Sequence, residues 1–516
     1  MGVVEDTAVL LVFVVAFGAL MFPGYFGGYS EATFVLYLAG ILAVGLAYVV
    51  YFGVHAKPFH AVAAWLAMFA LFPKKEINVE METLLNVGFH ATAIPFSLYD
   101  VLDIFFVGAL LVALVAHPRK RVYASRPARF LAVAFVLLIL MGTVHVVLTP
   151  RYPEVTEAAT EAHVRSLLAL WPLVEGVVVF AAARRFVRDP RQTEFLFRIL
   201  IAGALLLLAE FILAKLELLP TSVMRYSFNY RDAFRSSLQR GDLFATLILL
   251  AGGAGSLFLF LAGRGRRYAA LVVLFSWLVL ETFNRASFYA YAVMVVVVLW
   301  RSSAWSRLRL AVGGAVAAVV LLVYSRMQRV AVTALLSSVL DVGRVRANRD
   351  WGFFDLGSTM ERLGAIIRAL DVVRYRPMVG AGPGNLVAFM SSPQVSPTMN
   401  SSVSNPASAQ LYWEISTNIH PTNPHNLTVQ LLGEYGIVAL LAAAATTWLL
   451  IWGWHRMAGF RSTLRRDVYL VRLIAYAVLL GYAFFYVFQA TPMVFGVMFL
   501  FVRLAAGPLE DPASHR

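Results

Sequence analysis

Long apolar segments separated by short polar ones follow one another along most of this 516-residue chain. A membrane-spanning helix needs about 20 mostly apolar residues, and on that basis the pattern predicts about fourteen spans. They lie near residues 7–26, 32–53, 58–73, 98–116, 129–148, 166–183, 197–214, 242–263, 268–283, 286–300, 307–324, 433–454, 468–488 and 492–507. Because 58–73 and 286–300 are short, we expect an all-α polytopic membrane protein with about 12–14 transmembrane helices.

Two longer polar segments interrupt this series of spans, at 215–241 and 325–432. They divide the chain into transmembrane helices over 1–324, which include the loop 215–241, a loop domain over 325–432, and C-terminal transmembrane helices over 433–516. Inside the large loop, residues 358–377 have apolar residues at helical spacing after a possible N-cap serine. We expect this stretch to form a surface helix lying against the membrane bundle.

The composition supports a membrane protein and excludes several kinds of chemistry. The chain is 60% hydrophobic and 14% charged, whereas soluble domains average about 45–50% and about 25%. It contains no cysteine, which excludes disulfides and thiolate chemistry. Its net charge of +14 is typical of basic loops that fix membrane topology, so we expect a lipid bilayer and no nucleic acid as partner.

The basic residues of the short loops predict the orientation. They concentrate in five segments, 117–129, 184–192, 264–267, 301–309 and 455–466. The order of the spans brings all five to one side, which the positive-inside rule assigns to the cytoplasm. The protein is thus predicted to cross the cytoplasmic (inner) membrane many times, with 215–241 and 325–432 facing the periplasm or cell exterior.

Some arginines break this charge rule because they fall on the outward side. Arg225, Arg231, Arg235 and Arg240 crowd the loop before the span at 242, and Arg285 lies between two apolar segments. Guanidinium groups match the geometry of phosphate, which favours an anionic ligand. The arginines of the 225–240 loop can equally extend to lipid headgroups. For Arg285 the very short, otherwise neutral loop favours a functional role.

His425 and Asn426 precede the late span that begins near 433. A histidine can accept a proton from a hydroxyl group near neutral pH, or it can simply hydrogen-bond at a helix start, and Asn426 can cap that helix. Glu434 lies nine residues after His425, about 900° of helical rotation, so it falls on the opposite face and is not paired with it. His420 is interpreted as an ordinary loop residue.

The stretch "VGAGPGN" (379–385) resembles a phosphate-binding loop only superficially, because it lacks the Gly-Lys-Ser/Thr ending. We interpret it as a tight turn that Gly380, Gly382 and Gly384 permit. The chain has no H-E-x-x-H motif and no set of clustered carboxylates, so no catalytic metal and no cofactor are expected.

These segments together resemble the bacterial O-antigen ligase and O-antigen polymerase superfamily. "RYRPMVGAGPGN" (374–385) has the family's P-x-x-G-x-G-x-G turn, and "PHNLTVQLLGEYGIVALL" (424–441) has H-N followed by E-x-G. "ETFNRASFYAYAV" (281–293) is similar to a T-x-S-R span, with Asn284 where serine is usual. "STMERL" (358–363) resembles the S-x-R helix start with one residue inserted, and "FRSSLQRGDLFATLILL" (234–250) resembles an upstream Arg-containing loop more loosely.

The resemblance covers about 225–455 and implies an enzyme. Family members have many transmembrane helices and a helical periplasmic loop. They transfer a glycan from a polyprenyl-diphosphate carrier to a glycan, glycolipid or protein acceptor, without a metal. His425 matches the loop histidine and Arg285 the arginine of the T-x-S-R span, as candidate catalytic residues. The upstream arginine matches Arg235 best, with Arg231 and Arg225 as rivals, and Arg240 and Asn426 complete the expected substrate-binding residues.

Three alternatives stay open from the sequence. An O-antigen or exopolysaccharide polymerase and a protein O-oligosaccharyltransferase of the same superfamily differ from a ligase only in the acceptor. A transporter or flippase of lipid-linked glycans would explain the outward arginines but not the large one-sided loop, and it predicts charged residues in many spans.

Overall fold

The computed structural model describes residues 2–26, 31–71, 98–118, 125–155, 159–216, 218, 228–229, 237–238, 243–281, 285–302, 366, 368–392, 394–395, 427–485 and 494–506. The first ten helices are α1 (Gly2–Phe26), α2 (Glu31–Val50), α3 (Pro58–Leu71), α4 (Leu98–Ala116), α5 (Arg126–Leu148), α6 (Ala159–Phe186), α7 (Pro190–Lys215), α8 (Leu243–Leu261), α9 (Arg267–Glu281) and α10 (Arg285–Ser302). The others are α11 (Leu386–Ser391), α12 (Leu427–Tyr435), α13 (Ala439–Thr463), α14 (Arg466–Phe485) and α15 (Val494–Ala506).

Shorter elements complete the description. A π-helical turn (Tyr51–His55) extends α2, and 3₁₀ turns follow α5 (Thr149–Arg151) and α12 (Gly436–Val438). The strands β1 (Phe228–Asn229) and β2 (Ser237–Leu238) form a two-residue antiparallel pair, with Phe228 opposite Leu238. This pair falls inside the predicted loop 215–241.

Four of the described helical segments have the length and composition of membrane spans. Among the described residues, four segments are long and apolar enough to cross a bilayer: Arg126–Arg151, Ala162–Phe186, Pro190–Leu213 and Leu427–Met457. Shorter apolar helices, such as Pro58–Leu71 and Leu247–Leu261, accompany them. The predicted fold class, an all-α polytopic membrane protein, is confirmed. The predicted span 307–324 lies outside the described residues.

The outer surface of α5 shows why this bundle needs lipid around it. Val133, Leu137, Leu140 and Val144 are all exposed, and their spacing puts them on one face of the helix. Leu138, on the opposite face, is fully buried. An exposed apolar stripe of this length is stable in hydrocarbon and would be costly in water.

Small residues let the helices of the bundle approach closely. A Cβ added at Gly252 of α8 would lie 2.5 Å from the Cβ of Ala204 in α7. One added at Gly481 of α14 would lie 2.4 Å from the carbonyl oxygen of Ala290 in α10. Glycine at such contacts brings backbones together where lipid supplies no hydrophobic drive for association. α10 and α13 both pack against α14.

Polar side chains cap helix ends at one end of the bundle, which we call the basic end. The carbonyl groups that accept these hydrogen bonds terminate α4, α6, α8 and α10: Leu114 from Arg185 at 2.6 Å, Val187 from Arg503 at 3.0 Å, Leu261 from Arg466 at 2.7 Å, and Arg301 from the Tyr469 hydroxyl at 3.0 Å. The Ser125 N–H also donates to the Ala506 carbonyl at 3.3 Å. The described parts of the predicted basic segments therefore lie at a single end of the bundle.

The described part of the large loop docks onto the opposite end. Residues 368–375 are helical, and Ala369 and Val372 are buried in a small apolar cluster with Ala162 of α6 and Phe389 of α11. This cluster is separate from the main core of the bundle. Over these residues, the prediction of a surface helix lying against the bundle is confirmed.

Candidate active site

Of the candidate residues, Arg285 has a backbone within the described part of the structure. Arg285 is the first residue of α10, and its side chain lies outside the described residues. The other candidates lie outside the described residues with both backbone and side chain: His425, Asn426, Arg225, Arg231, Arg235 and Arg240. Residues 230–236, between β1 and β2, include Arg231 and Arg235. That these side chains converge stays a prediction.

Three segments that carry the candidates share the end of the bundle opposite the basic end, which we call the outer end. α10 runs from Arg285 to the basic end, where the Arg301 guanidinium lies 4.2 Å from the centroid of the Trp454 ring of α13. At about 1.5 Å per residue, Arg285 is roughly 24 Å away from Arg301. α12 and α13 likewise run from Leu427 towards Trp454. α7 ends at Lys215 and α8 begins at Leu243, so the two helix ends that flank the loop 215–241 also lie at the outer end.

The glycine turn, residues 377–385, has the backbone that its sequence requires. Gly380, Gly382 and Gly384 have φ angles of +69°, +86° and +74°, a left-handed region that favours glycine. A Cβ on Gly380 would also lie 2.4 Å from the carbonyl carbon of Glu434. The predicted tight turn is confirmed, and its close approach to the late span is an addition.

The glycine turn supplies backbone hydrogen bonds at a break in the late span. In a continuous helix, the carbonyls of Gly433 and Glu434 would accept from the N–H groups four residues later. Here Gly433 accepts from Ala381 and Glu434 from Gly382, both at 2.8 Å, and Ile437 N–H donates to the Pro377 carbonyl at 2.8 Å. The α-helix is interrupted at Gly436, where φ is +59°. Irregular backbone at this depth is tolerated because protein groups satisfy it.

The side chain of Glu434 adds a contact to the same junction. Glu434 is only 3% exposed. Its Oε1 atom accepts hydrogen bonds from the Gly384 backbone N–H and from Gln430 Nε2, both at 3.2 Å. Gln430 and Glu434 are four residues apart on one face of α12, the face that meets the glycine turn. The helix begins at Leu427, earlier than the apolar span predicted at 433–454.

Asn385 anchors the other side of the glycine turn to α5 and α6. Its amide nitrogen donates to Thr149 Oγ1 at 3.0 Å and to the Ala381 carbonyl at 3.2 Å, and its amide oxygen accepts from Arg165 at 2.7 Å. The Thr149 hydroxyl lies 3.2 Å from that of Ser166. Asn385 is fully buried, and these hydrogen bonds satisfy both the nitrogen and the oxygen of its side-chain amide.

A histidine and an arginine pack beneath the turn. His145 Nδ1 lies 2.7 Å from the Tyr152 hydroxyl, and a Cβ on Gly382 would lie 3.0 Å from the His145 ring. The Arg376 guanidinium lies 4.3 Å from the centroid of Tyr152 and 4.9 Å from that of Phe389. Burial raises the pKa of Tyr152, and this effect outweighs the nearby positive charge of Arg376, which lowers it. The Tyr152 hydroxyl therefore stays protonated at neutral pH.

The arrangement can act as a rigid support for the chain that enters the membrane at α12. The glycine turn joins α12 to the region where α5 ends and α6 begins, so the position of α12 is fixed relative to these helices. Sequence reasoning did not single out His145, Arg165 or Arg376. The signal was present, because Arg165 and Arg376 lie on the outward side of the predicted topology, as Arg285 does, and His145 lies near the end of the predicted span 129–148 that leads there. Among the described residues, no group of three or more His, Asp or Glu could hold a metal ion.

Comparison with known proteins identifies the family of this region. Residues 270–444 match the family model described as O-antigen ligase. The matched segment contains Arg285, the glycine turn, His425 and Glu434, and it does not reach the loop 215–241. No curated protein matches the chain. The match over residues 270–444 supports a relationship of this segment to the O-antigen ligase and O-antigen polymerase superfamily, whose members are glycosyltransferase-like enzymes.

Proposed function

We propose that this protein is a glycosyltransferase of the O-antigen ligase type. It moves a glycan from a polyprenyl-diphosphate carrier to an acceptor hydroxyl at the outer face of the cytoplasmic membrane. The observation that carries the proposal is that Arg285, the start of α12 at Leu427 and the helix ends that flank the loop 215–241 all lie at the outer end of the bundle. The family match over 270–444 supports the same reaction class.

In the proposed step, the acceptor oxygen attacks the anomeric carbon of the sugar that is bound to the diphosphate. The new bond forms between that oxygen and the carbon, while the bond from the carbon to the phosphate oxygen breaks. His425 accepts the proton of the acceptor hydroxyl. One displacement inverts the anomeric centre, because no residue is proposed as a covalent nucleophile.

The arginines of the outer end stabilise the leaving group. Negative charge grows on the diphosphate as the sugar bond breaks, and guanidinium donors that are already in position favour that state over the ground state. Arg285 takes this role together with one of Arg225, Arg231, Arg235 and Arg240. Asn426 orients the acceptor or the donor beside His425. No metal and no cofactor enter this scheme.

The topology gives the proposed reaction its location. The basic end carries the segments that the positive-inside rule assigns to the cytoplasm, so the outer end faces the periplasm or cell exterior. In this proposal, residues 325–432 form the extracytoplasmic loop domain and 433–516 the C-terminal spans. The polyprenyl chain of the donor lies in the bilayer, with its diphosphate at the interface.

An assay with purified protein separates the enzyme from a transporter. The protein is reconstituted with a lipid-linked oligosaccharide and with a glycolipid, a second lipid-linked glycan or a protein as acceptor. A new glycosidic bond with release of polyprenyl diphosphate supports the enzyme, and the productive acceptor distinguishes ligase, polymerase and protein transferase. Movement of the lipid-linked glycan across the bilayer without a new bond would refute the proposal in favour of a transporter.

A further inference from the structure

The junction between the glycine turn and α12 holds a buried carboxylate for which the proposed reaction has no use. Glu434 lies seven residues after Leu427, the first described residue of α12. At about 1.5 Å per residue this separation is roughly 10 Å along the helix axis. The described hydrogen bonds of the Glu434 side chain go to Gly384 and Gln430, and the proposed reaction assigns it no contact with the reacting atoms. Any effect of Glu434 on catalysis must therefore act through the helix.

The side-chain contacts of Glu434 help to hold α12 against the glycine turn. Three backbone hydrogen bonds already join the turn to the helix break, from Ala381, Gly382 and Ile437. All three lie at or beyond the last turn of α12. The Oε1 atom of Glu434 adds a fourth link, because it accepts the Gly384 N–H and is oriented by Gln430 Nε2. Glu434 itself lies in that last turn, and through Gln430, one turn earlier, the link extends from the third glycine further into the helix.

The position of the third glycine is itself fixed from the other side. A Cβ on Gly384 would lie 3.0 Å from the Cβ of Ala169 in α6, and Asn385 is bonded to Thr149 and Arg165. Gly384 is thus held against α6 while its N–H points to Glu434. The carboxylate connects α12 to this fixed point.

We propose that Glu434 is a positioning residue that sets where α12, and with it the PHN segment (424–426), stands relative to the donor. This proposal rests on the proposed function. What matters in it is an oxygen acceptor at this place, and the negative charge is not required. A displacement of about 1 Å at a reacting group can cost about 10²-fold in rate, so a shift of α12 affects kcat more than substrate binding.

The test compares three substitutions with a control on the same span. Glu434→Gln keeps an oxygen acceptor, and Glu434→Met removes it at similar size. Gln430→Met removes the donor that orients the carboxylate. Thr446→Val is the matched control, since the Thr446 hydroxyl bonds only locally to the Ala442 carbonyl at 2.8 Å. For each, kcat and KM are measured per folded molecule, with folding checked by thermal unfolding.

We expect Glu434→Gln to stay within about 3-fold of the wild-type kcat, and Glu434→Met to lose about 10-fold or more with KM changed less than about 3-fold. Gln430→Met should show a smaller loss of kcat, and Thr446→Val none. The proposal is overturned if Glu434→Gln loses as much as Glu434→Met, because the carboxylate would then act chemically. It is equally overturned if Gln430→Met and Glu434→Met both keep full kcat.

Hydrogen exchange keeps the test independent of the assay and of the proposed function. In Glu434→Met, amides in the peptides that cover 380–385 and 420–430 should exchange faster than in the wild type, whereas in Glu434→Gln they should not. If Glu434→Met fails to fold, the same comparison is made with Gln430→Met. Should the wild type form no glycosidic bond, the proposed function fails while exchange still reports on the junction. Unchanged exchange at 420–430 in the variants would overturn the positioning role.

Discussion

The two ends of the bundle differ in the groups that hydrogen-bond the unpaired carbonyls at helix ends. Every helix leaves carbonyl groups without partners at its C-terminus. At the basic end, side chains that reach from neighbouring helices satisfy them, as Arg185 does for Leu114 and Arg466 for Leu261. At the outer end, the break after α12 is satisfied by the uncharged backbone N–H groups of Ala381 and Gly382.

This difference distinguishes arginines that cap helices at the basic end from arginines at the outer end that such capping does not require. Guanidinium groups at the basic end are hydrogen-bonded to the C-terminal ends of helices, where a positive charge interacts favourably with the helix dipole. The glycine turn caps its helix break without any charge. Arginines on the outward side, Arg285 among them, are therefore not required for that capping. We expect substitutions of arginines at the basic end to change stability, and substitution of Arg285 at the outer end to change the reaction.

The largest expected contrast lies within α10. Arg285→Ala should reduce transfer by about 10²–10³-fold, because a donor to the developing charge is lost. Arg301→Ala, at the other end of the same helix, removes the stacking on Trp454 and should lower stability by about 1 kcal/mol. Transfer rates per folded molecule and thermal unfolding measure both effects. Equal loss of transfer in the two variants would remove the distinction between the ends.

A second contrast compares glycines with similar backbone angles. Gly380→Ala introduces a Cβ 2.4 Å from the backbone of Glu434 and should cost about 3 kcal/mol or more, because strain and overlap add. Gly263, near the basic end, has φ of +78° with nothing within 4 Å of an added Cβ. Gly263→Ala should cost only the left-handed backbone term, about 1–2 kcal/mol. Unfolding midpoints of the two variants test this, and similar values would contradict the close approach.

A smaller effect is expected from a cap at the basic end. Arg185→Met leaves the Leu114 carbonyl, now bonded at 2.6 Å, without its guanidinium donor. Loss of a charged hydrogen bond of this kind should destabilise the protein by about 1–2 kcal/mol. Transfer per folded molecule should not change, as measured beside the wild type in the same preparation. A fall in transfer without a fall in stability would show that this end takes part in the reaction.

The smallest effect concerns the ion pairs of Glu194 at the basic end. Its carboxylate lies 2.6 Å from Arg198 and 3.0 Å from Arg264, and both arginine side chains are about half exposed. Exposed pairs contribute about 0–1 kcal/mol, and salt screens them. Glu194→Gln should therefore change the unfolding temperature slightly at low salt and not at all at high salt. A change of the same size in both conditions would point to a role in packing.

The helices were predictable because a long apolar run has few alternatives in a membrane. The predicted span 98–116 coincides with α4 (Leu98–Ala116). The late span was predicted at 433, whereas its first helix begins at Leu427. The glycine turn that stabilises this extra segment lies about 50 positions upstream, and hydropathy along the chain carries no information about that contact.

The same limit explains what could be predicted of the candidate site. Three alternate glycines indicated a tight turn, because left-handed backbone is a local property. The partner of that turn could not be predicted, because it depends on how the large loop returns to the bundle. Glu434 was set aside as a partner of His425, and the structure gives it Gly384 and Gln430 instead.

The most direct test of the central claim, that the outer end catalyses glycan transfer through His425, compares two histidines of the same loop. His425→Ala and His420→Ala are purified and assayed for transfer from a lipid-linked oligosaccharide. We predict that His425→Ala loses about 10²-fold or more of kcat, as expected for removal of a general base, while His420→Ala keeps nearly full activity. Full transfer by His425→Ala, with an active wild type, would contradict the account.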